Sequence, residues 1–321
     1  MSAEGGSKAV VAALLANVGI AVLKFLAWAL TGASSMLAEA IHSVADSGNQ
    51  MLLLLGRSRS RRAATREHQF GYGRERYVYA FLVSVVLFTV GGLFALYEAY
   101  HKLQEVRAGH PDELLESRWW WVPLVVLGGA LLLEGFSFRT AVAESAPHRG
   151  STSWLRFVRT TKSPELPVVL LEDSAALVGL CFALLGVGLS KLTGSGYFDV
   201  AGTGAIGLLL VTVAVVLAVE TKSLLLGEAA RPEVERRIRE ALEATPGVER
   251  VIHLRTMHLG PEELLVAAKT GVAREATAGD VARAIDAAER AIRSAEPAAR
   301  LIYIEPDIDR GIDRGGEAAS R

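Results

Sequence analysis

The chain has 321 residues, a formal net charge of −1 and a hydrophobic fraction of 51%. Its mean hydropathy is +0.31, and its apolar residues are clustered in blocks, which argues against a water-soluble globular protein. The single cysteine, Cys181, excludes a disulfide framework and a thiolate metal cluster. The N-terminal segment MSAEGGSK lacks the basic region of a secretory signal, so the first apolar segment is predicted to be a retained membrane span.

Six segments are predicted to be transmembrane helices, because a span takes about 20 apolar residues and a lone strand would leave its backbone unpaired in lipid. They lie near residues 8–31, 36–56, 77–100, 119–143, 167–190 and 197–221. The loops at 57–76 and 144–166 are rich in arginine and lysine, whereas the connections at 32–35 and 191–196 are nearly uncharged. Because positive loops mark the cytoplasmic side, both termini are predicted to be cytoplasmic.

After residue 227 the long apolar segments end and charged residues become frequent. Helical periodicity in PEVERRIREALEATPG is followed by the strand-like runs VERVIHLRTMHLG and ELLVAAKTGVA. A second helix begins at Thr277, with Asp280 three residues on in a near capping-box pattern, and RLIYIEP indicates a last strand. The order predicts a transmembrane domain at 1–227, a small α+β domain of order αββαβ at 228–306, and a disordered tail at 307–321.

Polar residues recur inside the predicted spans. A charged group at the bilayer centre costs roughly 2.5–3.5 kcal/mol on insertion scales, so such residues usually face the bundle interior and carry function. The second span carries one polar stripe, whose residues recur at three- and four-residue intervals: Glu39, His42, Ser43, Asp46 and Gln50. Further polar residues are Glu172 and Asp173 in the fifth span, Glu134 in the fourth, and Asn17 and Lys24 in the first.

The spacing of His42 and Asp46 indicates a metal site. Residues i and i+4 of a helix lie about 5–6 Å apart at Cβ, so one ion can contact both side chains. Neutral imidazole and carboxylate suit zinc, cobalt, manganese or iron, and Asp173 is the obvious further ligand. The alternative is that these residues form a buried hydrogen-bonded network between helices.

Two motifs carry a family resemblance: HSVADSGNQ in the second span and EHQFGYGRER before the third. With six spans, cytoplasmic termini and a small C-terminal domain, the chain resembles the cation diffusion facilitator family of metal/proton antiporters. The resemblance implies a ferredoxin-like C-terminal domain and a homodimer in the plasma (inner) membrane that exports divalent metal from the cytoplasm in exchange for protons. It also implies a tetrahedral site that includes His42, Asp46 and Asp173.

The fifth span departs from the family pattern. The usual ligand four residues before the final aspartate corresponds to Val169, which cannot bind metal. LLEDSAALVG looks like the divergent branch that includes the ninth human zinc transporter, and either Glu172 or a water molecule would then complete the metal shell. Glu134, Gln50 and Asn17 are interpreted either as proton-relay groups and partners of the ligands or as hydrogen bonds between helices.

The resemblance also bears on the cytoplasmic side. By family position, Arg74 and Glu228 match a charged contact near the membrane surface; the alternative is two solvated charges. The family's histidine positions in the C-terminal domain correspond to Ile252, Ala268 and Tyr303. A metal cluster is therefore not expected there, and the domain is interpreted as a dimerisation module.

The predicted function is a proton-coupled transporter of zinc, with cobalt, manganese or iron possible, and with no organic cofactor. Metal and protons would compete for the same carboxylate and imidazole atoms, which is the physical basis of exchange. The alternatives are a membrane metal sensor or scaffold that binds without transport, and a metal-dependent intramembrane hydrolase. Nucleic-acid binding is not expected from an arginine-rich loop next to a membrane, where anionic lipid headgroups are the natural partners.

Overall fold

The computed structural model describes residues 3–110 and 113–308, with side chains from residue 17 onward except those of residues 113 and 148. Contacts within the chain define two compact units. The described parts of residues 1–59 and 75–222 form the helical unit, and residues 60–74 join the chain from residue 223 onward in the second unit.

Long helices occupy each predicted span of the helical unit. They are α1 (Ala3–Thr31), α2 (Ser34–Ser60), α3 (Glu75–Val86), α4 (Phe94–Arg107), α6 (Trp121–Arg149), α8 (Glu165–Thr193) and α9 (Tyr197–Leu226). A π-helical segment, Leu87–Leu93, joins α3 and α4 into one continuous helix. The sequence did not predict this segment or the short helices α5 (Glu113–Glu116) and α7 (Trp154–Thr160).

Four helices in the described part of the chain are long and apolar enough to cross a membrane: Glu75–Arg107, Trp121–Pro147, Glu165–Thr193 and Tyr197–Leu226. Helix α1 adds the shorter apolar stretch Asn17–Thr31. Helix α2 is not among these four helices, because its polar stripe takes the place of apolar residues on one face. On α6, Leu132 and Phe136 are 78% and 74% exposed, as expected of a helix face that contacts lipid tails.

Glycines allow the π-helical segment and α4 to approach α9 closely. A Cβ atom added to Gly92 would lie 2.7 Å from Cγ2 of Val211, and one added to Gly207 would lie 2.8 Å from Cγ of Leu96. Small residues permit such close backbone approach in membrane helices, where dispersion contacts stabilise the packing. This packing also brings Gly91 next to His42, since a Cβ at Gly91 would lie 4.0 Å from the Nδ1 atom of that ring.

The second unit contains α10 (Pro232–Glu243), β1 (Arg250–Gly260), β2 (Glu263–Val272), α11 (Ala278–Ala295) and β3 (Ala299–Ile308), in the predicted order. Strand β2 is central, antiparallel to β1 and parallel to β3. Helix α11 begins with a complete capping box between Thr277 and Asp280. Apolar side chains of both helices, including Ile238 and Ile292, pack against the sheet residue Val266 to form the core.

The loop at residues 60–74 packs on the β1–β2 turn of this unit, although the sequence prediction assigned it to the domain at 1–227. A Cβ at Gly260 would lie 3.1 Å from Cα of Gly73, so two glycines make this close contact. Strand β3 continues to Ile308, two residues into the segment predicted as a tail. The remainder of that tail, 309–321, lies outside the described residues.

Candidate metal site

His42 and Asp46 face each other on α2 as the helical spacing predicts. The Nε2 atom of His42 lies 3.4 Å from Oδ2 of Asp46, and only 1% of His42 is exposed. Both ring nitrogens of His42 and the Oδ1 atom of Asp46 are buried without a hydrogen-bond partner. Because buried polar atoms are normally satisfied, these three atoms are available to a ligand.

The two acids of α8 point toward different helices. Glu172 faces α2, where Nδ2 of Asn49 donates a hydrogen bond to its Oε1 at 2.7 Å, and both residues are buried. Asp173 faces α6, where the hydroxyl of Ser137 donates to its Oδ2 at 3.1 Å. Adjacent helical residues project about 100° apart, which explains the divergence.

Electrostatic interactions link the acids of three helices. The charge of Asp46 on α2 acts on Glu134, Glu172 and Asp173, and the charge of Glu134 on α6 acts on Asp173 of α8. Among the side chains that the structure describes, no three His, Cys, Asp or Glu are close enough together to hold a metal ion. A shell shared by α2 and α8 therefore requires these side chains to move closer together.

A small open cleft reaches this group of acids. It is lined by Asn17, Ile20, Ser43, Asp46 and Glu134. Asp46 and Glu134 thus share one polar space between α1, α2 and α6. The predicted partners Asn17 and Gln50 meet each other, with Nδ2 of Asn17 lying 3.5 Å from Oε1 of Gln50.

A buried ion pair on α1 and α2 adjoins the site. The ammonium of Lys24 lies 2.9 Å from Oε2 of Glu39 and 2.7 Å from Oγ of Ser43. Lys24 is 1% exposed and Glu39 is fully buried. In the structure Lys24 therefore neutralises Glu39.

Two further polar partners, Asn49 and Ser137, were not predicted from the sequence. Asn49 lies three residues after Asp46 on the polar face of α2, and this spacing was a signal that could have identified it. Ser137 likewise lies three residues after Glu134 on α6, but a serine in an apolar helix usually bonds to its own backbone and gives a weak signal.

The predicted charged contact between Arg74 and Glu228 remains a prediction. The Nη2 atom of Arg74 lies 3.2 Å from Sδ of Met257, and a Cβ at Gly227 would lie 3.4 Å from the same Nη2 atom. The carbonyl oxygen of Glu228 accepts a hydrogen bond from the backbone N–H of His258 at 2.8 Å. These contacts join the 60–74 loop to the chain that leads into the α+β domain.

In the α+β domain, Glu305 belongs to an ion-pair cluster. Its Oε1 lies 2.9 Å from Nζ of Lys269, and Oδ2 of Asp307 lies 3.0 Å from the same atom. Hydrogen bonds to these two acids raise the pKa of Lys269. His258 is buried with Nδ1 3.4 Å from the carbonyl oxygen of Gly260, whereas His253 is exposed.

Comparisons with known proteins agree with this architecture. Residues 10–226 match the cation efflux transmembrane domain, and residues 230–307 match the cytoplasmic domain of cation efflux proteins. The mitochondrial proton-coupled zinc antiporter SLC30A9 of Mus musculus is 33% identical over 80% of this chain and 44% of its own length. Metal tolerance protein C4 of Arabidopsis thaliana is 30% identical over 80% of this chain and 55% of its own length. The chain thus spans about half the length of these curated relatives.

Magnetosome protein MamM of Magnetospirillum gryphiswaldense is 25% identical over 78% of this chain and 72% of its own length. A solved nickel form of the MamM C-terminal domain is 26% identical and covers 25% of this chain and 99% of its own, with a TM-score of 0.24. The family matches and the apolar helices confirm the predicted fold class, a multi-pass helical membrane protein with a small C-terminal α+β domain. The chain belongs to the cation efflux family, also called the cation diffusion facilitator family.

Proposed function

We propose that this chain is a secondary active transporter that exports a divalent transition metal from the cytoplasm in exchange for protons. Zinc is the first candidate, because relatives that are 33% identical are named proton-coupled zinc antiporters. Cobalt, manganese and iron suit the same ligands, since imidazole and carboxylate bind all four metals. The transporter would act as a homodimer in the inner membrane, with the α+β domain as its cytoplasmic dimerisation module.

The pairing of His42 with Asp46 carries this proposal. A buried imidazole and a half-buried carboxylate lie 3.4 Å apart on α2, with three buried polar atoms that have no hydrogen-bond partner. Leaving such atoms without partners costs about 1–3 kcal/mol each, a cost that a structure seldom bears without a functional reason. A bound cation would satisfy these atoms together.

The acids on the neighbouring helices supply the charge that a divalent ion needs. A bare divalent ion is prohibitively costly in a region of low dielectric, so carboxylates must neutralise it. In the proposed site Asp173 is the third ligand, and Glu172 or a water molecule completes the shell. Asp173 would turn from Ser137 toward the ion, whereas Glu172 would keep its hydrogen bond from Asn49 on Oε1 and bind the ion through Oε2.

Exchange follows from competition for the same atoms. A carboxylate or imidazole binds metal only without its proton, so metal binding releases protons and protonation releases metal. Glu134 shares the cleft with Asp46, and in this proposal it would pass protons between that cleft and the ligands. Alternating exposure of the site to the two sides of the membrane would convert this competition into coupled transport.

The test is metal flux in proteoliposomes that contain the purified full chain. We expect zinc uptake that saturates with metal and depends on an imposed pH gradient, and a panel of divalent metals would rank the substrates. Asp46→Ala and Asp173→Ala should each abolish flux. Ser47→Ala is the matched control, because Ser47 is buried on α2 but donates only to the carbonyl oxygen of Ser43.

Three outcomes would contradict the proposal. Near-normal flux in Asp46→Ala or Asp173→Ala would remove these ligands from the site. Zinc binding with no flux in the unmodified protein would indicate a sensor or scaffold instead. Flux that neither saturates nor responds to the pH gradient would indicate a passive channel.

A further inference from the structure

A lysine is buried beside the proposed metal site, inside a cation transporter. Lys24 is 1% exposed, and its Nζ atom contacts Oε2 of Glu39, the backbone oxygen of Glu39 and the hydroxyl of Ser43 at 2.9, 3.5 and 2.7 Å. A buried ammonium is stable only when it is paired and hydrogen-bonded, and these contacts satisfy its donors. The pair joins α1 to α2 one helical turn from His42.

The charge of this ammonium reaches the metal site. Lys24 interacts electrostatically with His42, Asp46 and Glu134, and Glu39 acts with opposite sign on each of them. Ser43, which Lys24 contacts directly, lines the same cleft as Asp46 and Glu134. The lysine is therefore a fixed positive charge beside a site that must attract a divalent cation.

Glu39 is held by the packing of α2 against α8. Its Oε1 atom is buried without a hydrogen-bond partner, and a Cβ at Gly179 of α8 would lie 2.8 Å from it. A side chain at position 179 would meet this oxygen, whereas glycine leaves it room. The carboxylate is thus fixed where it neutralises the ammonium, while its second oxygen stays free of other bonds.

We propose that Glu39 and Lys24 form an internal counter-ion pair that sets the affinity of the site for its divalent cation. Neither residue contacts the ion; both are positioning residues that act through the local charge. Glu39 neutralises Lys24 and so prevents the ammonium from competing for Asp46. This inference rests on the proposed metal site at His42 and Asp46.

A purely structural bridge between α1 and α2 makes a different prediction. If the pair only stabilises helix packing, removing either partner should lower thermal stability and metal affinity together, whichever charge is removed. If the pair sets the local charge, the two single substitutions should change metal affinity in opposite directions. The sign of the effect therefore separates the two roles.

The experiment compares Glu39→Gln, Lys24→Met and the double variant by zinc titration of the purified full chain in nanodiscs. Glu39→Gln leaves the ammonium unneutralised, so zinc affinity should fall at least tenfold, equivalent to about 1.4 kcal/mol. Lys24→Met leaves a carboxylate beside the site, so zinc affinity should rise at least threefold. The double variant should return to within about threefold of the unmodified protein.

Lys102→Met is the matched control, because Lys102 is also a buried lysine and its charge acts on Asp199. Its zinc affinity should be unchanged. Thermal unfolding of every variant reports any loss of packing separately from the affinity.

Weaker zinc binding in both single variants, with no recovery in the double variant, would overturn the inference and leave the proposed function intact. Absence of zinc binding by the unmodified protein would overturn the inference together with the metal site. The expected pattern of affinities without proton-coupled flux would support the charge role and refute transport.

Discussion

Substituting Asn49 by alanine tests whether Glu172 is a metal ligand. In the structure Nδ2 of Asn49 donates to Oε1 of Glu172 at 2.7 Å, and both side chains are buried. A residue that orients a ligand in this way affects metal affinity without touching the metal. Asn49→Ala should therefore weaken zinc binding if Glu172 coordinates the ion.

The magnitude follows from the hydrogen bond that is lost. A bond to a charged group contributes about 1.5–3 kcal/mol, which corresponds to roughly 10- to 150-fold in an equilibrium constant. Loss of a residue that orients a metal ligand typically costs about 10–100-fold in metal affinity, in the same range. Glu172→Gln should weaken binding at least as much, because it removes the carboxylate itself.

The assay is zinc titration of the purified full chain, with Ser47→Ala as control. Ser47 is buried on the same helix, and its hydroxyl donates at 3.0 Å to the carbonyl oxygen of Ser43, so its loss should leave zinc affinity unchanged. Unchanged zinc affinity in both Asn49→Ala and Glu172→Gln would refute the reasoning. Water would then complete the shell, and the 2.7 Å contact would serve only to join α2 and α8.

Val169→His places an imidazole one turn before Asp173, the proposed aspartate ligand of α8. Zinc should then bind at least tenfold more tightly and dissociate more slowly. Unchanged zinc affinity would show that position 169 faces away from the ion. Gly179→Ala would place a Cβ 2.8 Å from the carboxylate of Glu39. Thermal unfolding should show a loss of about 1–3 kcal/mol, and Gly188→Ala, where the added atom meets nothing within 4 Å, should not. Thr277→Ala removes the capping box of α11 at a cost of about 1 kcal/mol, so hydrogen exchange in its first turn should be roughly fivefold faster, and equal exchange rates would contradict that role.

Helices whose signals lie within a short stretch of sequence were predictable from the sequence alone. The helix from Pro232 begins with proline in its first turn, and α11 begins at the capping box of Thr277, as the sequence indicated. In the described part of the chain, four spans followed from the length of apolar segments alone, because bilayer thickness fixes that length. In each case the signal is contained within the element itself.

Elements that depend on packing were not predictable. The π-helical segment Leu87–Leu93 lies where Gly92 meets Val211 of α9, and the apolar sequence LFTVGGL by itself does not distinguish a π-helix from an α-helix. Residues 60–74 likewise belong to the second unit, where Gly73 contacts Gly260, 187 positions away in the numbering.

The sequence by itself determined the membrane class of the chain and the meeting of His42 with Asp46, because helical geometry fixes which residues four positions apart share a face. Only the tertiary structure decided where the other charges point. Glu172 turns to Asn49, and Lys24 is neutralised by Glu39. These contacts depend on how separate helices pack and rotate against one another, a relation that no pattern within a single helix encodes.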